Sequence, residues 1–405
     1  MAPASARVDT PRARRSAATI IGADTRMLAM LIALAAAAIV FNILSHGLFL
    51  SPRNLWNLAV QTSVVGIIST GMVLVIVSRN IDLSVGSLES FLGISGAFLQ
   101  LQVLHIGAPN TWWAGILFVV VLGGLCGALQ GAITAYLGLP SFVVTLAGLM
   151  AWRAVAWLVT RGETVTPLDS TYSLFGDGSI GVAWSWVVGA AIVLIVAALA
   201  LNRRVSRSRV GFGNRQWWLD LAGIALVAAV VFAFVATMNA YTYPRSVVGR
   251  GIPVPVLTLI VIVGIMSCLA TMTRFGRYIY GYGGNPEAAQ LAGVPTKRVV
   301  TIAFAIVGVL TGVGAVVTTA RLNAAPLSIG QLLELQVIAA CVIGGTSLTG
   351  GSGSIFGAIV GATLIQSLLN GLVLLGVDSA TQQIVEALVL LAAVWFDIIY
   401  QRRGA

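Results

Sequence analysis

The sequence predicts an all-α integral membrane protein, a polytopic helical bundle of about 10–12 transmembrane helices in two pseudo-symmetric halves. Three observations carry that expectation. Of 405 residues, 58% are apolar and only 9% charged, whereas a water-soluble globule carries roughly a quarter of its residues charged. Mean hydropathy is +0.97, and apolar runs long enough to cross about 30 Å of hydrocarbon as helices recur along the whole chain. The net charge of +10 arises from 23 basic against 13 acidic residues, and the arginines gather in a few short loops, as membrane topology requires. Soluble-enzyme classes are excluded by this composition, and no basic patch interleaved with aromatics suggests nucleic acid.

Taken in order, residues 1–26 form a basic tail with Arg7, Arg12, Arg14, Arg15 and Arg26. The apolar run at 27–50 exceeds a secretory h-region and lacks a convincing cleavage site, so it is expected to be a retained first span. Further runs lie near 55–78, 83–104, 112–137, 140–160, 182–201, 217–238 and 253–273. After a polar stretch at 274–298 come runs near 299–320, 336–349, 354–376 and 381–400, the second of them short for a full span. The transmembrane domain is thus expected over 27–400, with 401–405 as a cytoplasmic end, and twelve crossings, give or take two.

Parity supports this order. With the N-terminus cytoplasmic, the Arg-rich loop 202–216, the basic segment 274–298 and Arg402 and Arg403 all fall on the cytoplasmic side. The acidic loop 161–181, with Glu163, Asp169 and Asp177, falls outside. Both termini are therefore expected on the cytoplasmic side of a membrane that the chain crosses many times.

Glycine is abundant within spans. Gly123, Gly124, Gly127 and Gly131 read as a helix-packing seam. The cluster GGTSLTGGSGS, containing Gly344, Gly345, Gly350 and Gly351, is too polar for packing alone and is expected to form a helix break or gate facing protein or a wet path. Two echoes hint at repeated halves: VIVSRNIDLSVGS (75–87) with CVIGGTSLTGGSGS (341–354), and GLPSFVVTL (138–146) with GIPVPVLTL (251–259).

Chemistry-bearing residues are few. Cys126, Cys268 and Cys341 sit in apolar runs, and His46 and His105 lie far apart, so neither a disulfide framework, a metal site nor a resident cofactor is expected. The chain holds one lysine, Lys297, outside any GxxxxGK[ST] motif, so ATP coupling has to come from another subunit. Glu89 and Arg153 lie well inside their spans, where they either line a path or pair between helices. Asn370, with other amide and hydroxyl groups, suits a neutral polyhydroxylated solute, although such residues also join membrane helices. Asp82 ahead of an apolar run reads as a helix cap, and Glu334 is expected near an outer end.

The segment TRFGRYIYGYGGNPEAAQLAGVPTKRV (273–299) is Gly-punctuated and too long for a tight turn. Pro286 can open a short helix ending at Gly293. Such a helix between two spans reads either as a docking element for a cytosolic partner or as an ordinary solvated loop.

EAAQLAG resembles the EAAxxxG coupling signature of permease subunits of binding-protein-dependent ABC importers. GMVLVIVSRNIDLSVGSL (71–88), GLPSFVVTLAGL (138–149) and ELQVIAACVIGGTSLTGGSGSIFGAIVGA (334–362) are similar to the ribose, arabinose and xylose permeases, and the resemblance covers about 55–400. It implies a homodimeric permease in lipid that receives a sugar from an extracytoplasmic binding protein and docks two cytosolic ATP-binding-cassette subunits, so that this chain is not itself an enzyme. Glu287, Ala288, Ala289 and Gly293 would inherit the coupling role. The insertion around 202–250, with an extra span near 217–238, resembles the xylose-type branch and implies D-xylose. The rivals are another sugar, an ion-coupled secondary transporter using Glu89, and a membrane enzyme acting on lipid-linked sugars, for which the outside acids lack catalytic spacing.

Overall fold

The computed structural model describes residues 25–105, 110–209, 217–243 and 246–404. The tail expectation for 1–26 falls almost wholly outside these residues, as does the second half of the loop at 202–216. Fifteen helices follow in order among the described residues: α1 (Thr25–Leu44), α2 (Pro52–Val77), α3 (Val85–Phe98, continued by a π-turn at Leu99–Val103), α4 (Thr111–Leu137), α5 (Ser141–Thr160), α6 (Ser170–Asp177), α7 (Gly181–Arg209), α8 (Trp217–Ala240), α9 (Val254–Met272), α10 (Arg274–Gly284), α11 (Pro286–Leu291), α12 (Thr296–Leu322), α13 (Leu333–Ile343), α14 (Ile355–Leu374) and α15 (Ser379–Gly404). Among the described residues nine helices have the length and apolar character of a full span. With α15 and the two short helices α3 and α13, the described residues pass twelve times between the two ends of the bundle.

One end of the bundle carries Arg79, Lys297 and the α10–α11 segment and is called the basic end. α2 occupies the centre, with almost its entire surface buried. It is ringed by α9, α12, α13 and α14, and Val73, Leu74, Ile76 and Val77 pack with Val307, Phe304, Cys341 and Ala358 into the main core. The most extensive helix interface joins α4 to α12, antiparallel. Gly123, Gly127 and Gly131 recur on one face of α4 and meet Gly308, Phe304 and Thr301, and at Gly123 and Gly127 the two backbones touch directly. A Cβ on Gly127 would strike the Phe304 carbonyl, and one on Gly308 would strike Gly123. The small-residue spacing read as a packing seam is that seam.

The halves are visible in the order and direction of their helices. α2–α5 and α12–α15 each consist of a long helix, an unwound segment, a short helix, a full span and a further span, and the two sets run in opposite directions. Their contacts are reciprocal: α4 lies on α12 as α14 lies on α2, and α3 packs on α5 as α13 packs on α15. This is the inverted-repeat arrangement common among transporters. Its register differs from the sequence echoes. The segment 78–84 corresponds to 323–332, not to 341–354, because the shared Ser/Gly composition marks helix starts whereas structural equivalence follows the course of the backbone.

α7 and α8 form a hairpin at the periphery, and the basic run 202–209 continues α7 as helix instead of forming a loop. Arg204 of α7 reaches Asp220 of α8 at 3.4 Å, both groups part-exposed. At the far end Arg250 pairs with Asp177 at 2.9 Å and lies over Trp56, 4.4 Å from its ring centroid, with Tyr241 and Tyr243 beside it. Burial works against the Arg250 charge, but Asp177 and Tyr241 outweigh it and hold the guanidinium pKa above its ordinary value. This staple fixes the chain after α8 to the first turn of α2.

Candidate functional site

Two unwound segments bring polar groups into the middle of the bundle. α2 ends at the basic end in a Schellman turn: Arg79 N–H donates to Ile76 O at 2.9 Å and Asn80 N–H to Val75 O at 3.1 Å, with Arg79 in the left-handed region at φ 63°. The chain then turns back between α4 and α5. Ile81 N–H donates to Ser141 Oγ at 3.2 Å, and Thr145 Oγ1 donates to Ile81 O at 3.2 Å. Asp82 Oδ1 accepts from Ser84 N at 2.8 Å and Ser84 Oγ at 2.7 Å, so the expected cap is an Asx-turn opening α3, buried within the bundle. Gln130 Nε2 of α4 donates to Ser84 Oγ at 3.0 Å.

The second segment, 323–332, descends from the far end, where Ala325 bridges Val165. Arg153 of α5 holds it: one guanidinium nitrogen donates to Leu327 O at 2.6 Å and Ile329 O at 3.0 Å. Ser90 Oγ donates to Leu327 O at 3.1 Å. The segment ends where Gly330, at φ 69°, touches the backbone of Gly86. A Cβ on either glycine would strike the other's carbonyl, so the first turns of α3 and α13 start head to head. Glu334 lies at this meeting point, inside the bundle, which corrects its expected position near an outer end. Its burial follows from 323–332 dipping inward where the sequence reads as a surface loop.

Two helix N-termini thus converge with three buried carboxylates, Asp82, Glu89 and Glu334, and the Arg153 guanidinium close by. Helix N-termini carry partial positive charge and stabilise nearby anions, which is one way to hold carboxylates in a low-dielectric bundle. Glu89 and Arg153 do not meet as an ion pair. Glu89 Oε1 instead accepts from Thr318 Oγ1 of α12 at 2.7 Å, while Arg153 serves the carbonyls of 323–332. Asn370 lies elsewhere, near the far end of α14, where its Oδ1 accepts from Asn54 Nδ2 at 2.8 Å.

The Gly-rich turn joins α13 to α14 at the basic end. Gly345, Gly350 and Gly351 all take positive φ. Gly344 lies against the Gly357 backbone, and Gly351 N–H donates to Val77 O at 2.9 Å, the last turn of α2. The unwound segments that run into the bundle are therefore 78–84, from the basic end, and 323–332, from the far end, and the turn 344–353 anchors the end of α2. Tyr280 of α10 donates its hydroxyl to Gly353 O at 2.9 Å, and burial raises the phenol pKa so that the donor proton stays.

The segment expected from its sequence to be either a docking element or a solvated loop lies at the basic end. Asn285 Oδ1 accepts from Ala288 N at 3.0 Å and Pro286 takes the first helical position, so α11 opens as its sequence suggests. Gly293 ends it at φ 76°. Glu287 and Ala288 face solvent, while Ala289 is buried. Leu291 is 90% exposed, a large apolar side chain with no intramolecular partner face, and the sequence reading missed it because one leucine in PEAAQL carries no periodic signal. Beside α11 opens a cavity of about 500 Å³ lined by Arg79, Ser141, Tyr282, Gln290 and Lys297.

A bundle of inverted halves, with its polar groups gathered at two unwound segments inside it, is the architecture of a multi-pass membrane permease. The chain belongs to the family described as branched-chain amino acid transport system / permease component, which matches residues 54–394. It is 39% identical over 373 residues to the xylose transport system permease protein of Haemophilus influenzae, covering 91% of this chain and 95% of that protein. It is 37% identical over 381 residues to the Escherichia coli K12 protein of the same description, 94% of each chain. The ribose import permease protein of Escherichia coli K12 is 31% identical over 352 residues, 86% of this chain and 87% of that one. No solved structure matches the chain.

Proposed function

We propose that this chain is the membrane-spanning subunit of an ABC importer that carries a monosaccharide, D-xylose in the first instance, into the cell. The observation that carries the reading is the match at 39% and 37% identity to two xylose permeases over nearly their whole length, against 31% over a shorter stretch for the ribose permease. ATP is hydrolysed on separate cytosolic subunits, an extracytoplasmic binding protein delivers the sugar, and two copies of the chain assemble in the lipid. The basic end, with Lys297, Arg298 and the docking helix, faces the cytoplasm.

In this reading α11 with Glu287, Ala288, Ala289 and Gly293 seats in the ATPase subunit, and closure of the nucleotidases drives rigid-body movement of the helices around 78–84 and 323–332. Glu89, Arg153 and the hydroxyls near them line the route that opens alternately to either side, and the turn at Gly344, Gly345, Gly350 and Gly351 gates its inner mouth. The test is uptake of labelled xylose, ribose and arabinose into vesicles holding this chain, its ATPase and its binding protein, with each component omitted in turn. Xylose uptake lost with any omission supports the reading; uptake of ribose alone keeps the mechanism and changes the substrate.

Leu291 supplies the apolar anchor of the docked helix. Leu291→Ala is expected to weaken ATPase-subunit association about tenfold, as loss of a buried interface anchor does, measured by titrating the ATPase onto permease in nanodiscs. Unchanged affinity would place the contact elsewhere on the basic end.

A second reading is favoured by one observation, the buried Glu89 bonded to Thr318: an ion-coupled transporter would use such a carboxylate. Glu89→Gln is expected to keep ATP-driven uptake insensitive to collapse of the proton gradient. Uptake that follows the gradient in the unmodified protein, and disappears in this variant, would favour ion coupling.

A further inference from the structure

We propose that Arg79 is the positioning residue that transmits movement of the docking helix α11 into the unwound segment 78–84; the inference rests on the importer reading above. Arg79 Nε donates to Gly283 O at 2.7 Å and one terminal guanidinium nitrogen donates to Gly284 O at 2.9 Å. These are the final carbonyls of α10, which lack partners within their own helix, and Asn285, the next residue, caps α11. The guanidinium fork therefore grips the chain immediately ahead of the docking helix. Its own backbone is the first residue of the reversal that leads, three residues later, to Asp82 and the start of α3.

The same point is joined to the other half of the molecule. Val77 O accepts from Gly351 N, and a Cβ on Gly350 would meet the Arg79 side chain and Gly283 O. A displacement of α11 is thus passed by the Arg79 fork to the segment 78–84, beside the backbone contact of Gly283 with Val77 and Gly351 that joins the turn at 344–353 and so α13 and α14. The cavity lined by Arg79 and Gln290 leaves room for that displacement.

The backbone of Arg79 points the same way. The position closing a Schellman turn takes positive φ and is ordinarily glycine, yet here a long cationic side chain occupies it at φ 63°. Local backbone preference is set aside at a position whose side chain holds two carbonyls across the chain, the pattern expected where a side chain has a task beyond folding.

This conflict makes the test sharp, because Arg79→Gly removes the fork while suiting the backbone better. In proteoliposomes with the ATPase subunits and binding protein, Arg79→Gly is expected to consume about tenfold more ATP per sugar imported, within the usual range of coupling between sites. Thermal unfolding and ATPase-subunit affinity should be unchanged or improved, and Arg79→Lys, which keeps the cation without the fork, should fall between. An unchanged ATP-to-sugar ratio in Arg79→Gly overturns the proposal. A lowered unfolding midpoint, or lost ATPase binding, also overturns it by making the residue a structural cap or a docking contact. Absence of ATP-dependent uptake in the unmodified complex overturns the importer reading and this inference together.

Discussion

Glu287→Lys is expected to reduce ATP-dependent sugar uptake by about a hundredfold or more, the scale of a reversed charge at a docking surface, with membrane insertion and thermal unfolding unchanged. The side chain sits in the first turn of α11 and faces solvent, so the fold has little stake in it. A carboxylate there suits the positive end of the helix, and lysine reverses that local field where the proposed docking would seat the ATPase subunit. Gly293→Asp should give the same loss by a different route. The residue stands in open space at φ 76°, a conformation Asp tolerates better than most side chains, so the added carboxylate changes the surface and not the core. Uptake measured beside expression and detergent-solubilised unfolding separates the cases; normal uptake in both variants would remove α11 from the coupling role.

The largest effect on folding is expected at the α4–α12 seam. Gly308→Val places a branched side chain where Gly123 and Gly127 already touch the Gly308 backbone. Neither partner is a flexible side-chain tip, so the helices must part along a contact that runs most of their length. Overpacking of a fitted core costs about 1–3 kcal/mol and occasionally more, and a backbone-to-backbone seam in lipid, where packing supplies the helix association itself, belongs at the upper end. The variant should fail to accumulate in membranes, and the little that does should unfold well below the unmodified protein. Gly264→Val, at a position with nothing within 4 Å of a new Cβ, is the control. Equal accumulation of both variants would show the seam to be looser than its geometry indicates.

Much of the fold is written in the one-dimensional pattern, and what is missing from it has a common cause. Apolar runs suffice to mark the nine full-length spans among the described residues, because length and apolar character are local quantities. The same holds for α11, whose Asn285, Pro286 and Gly293 are local start and stop signals. The unwound segments were not legible. SRNIDLS and NAAPLSIGQL read as ordinary loop ends beside long spans, and only their packing against Gln130, Arg153 and Ser90 places them in the middle of the bundle. Glycine content drew attention to 344–353 instead, where left-handed turns at a surface need it just as a midplane break would.

Polar partners were equally hidden. Glu89 and Arg153, two opposite charges within spans, invite pairing by sign alone, but Glu89 meets Thr318, 229 residues away, and Arg153 meets backbone oxygens 174 and 176 residues away. Carbonyls freed by an unwound segment compete for a guanidinium as well as a carboxylate does, and sequence does not reveal which backbone groups will be free.

The backbone contacts between α4 and α12 have a mechanical consequence. Two helices joined at such points act as a single spar, with few rotamers to shear or re-sort, so a conformational cycle has to be absorbed beside them. Spin-label pairs set across the spar should keep one distance distribution in every nucleotide state. Pairs set across the meeting point of α3 and α13 should change theirs, because there two short stretches of chain without helical hydrogen bonds can rotate their dihedrals and leave every neighbouring helix intact.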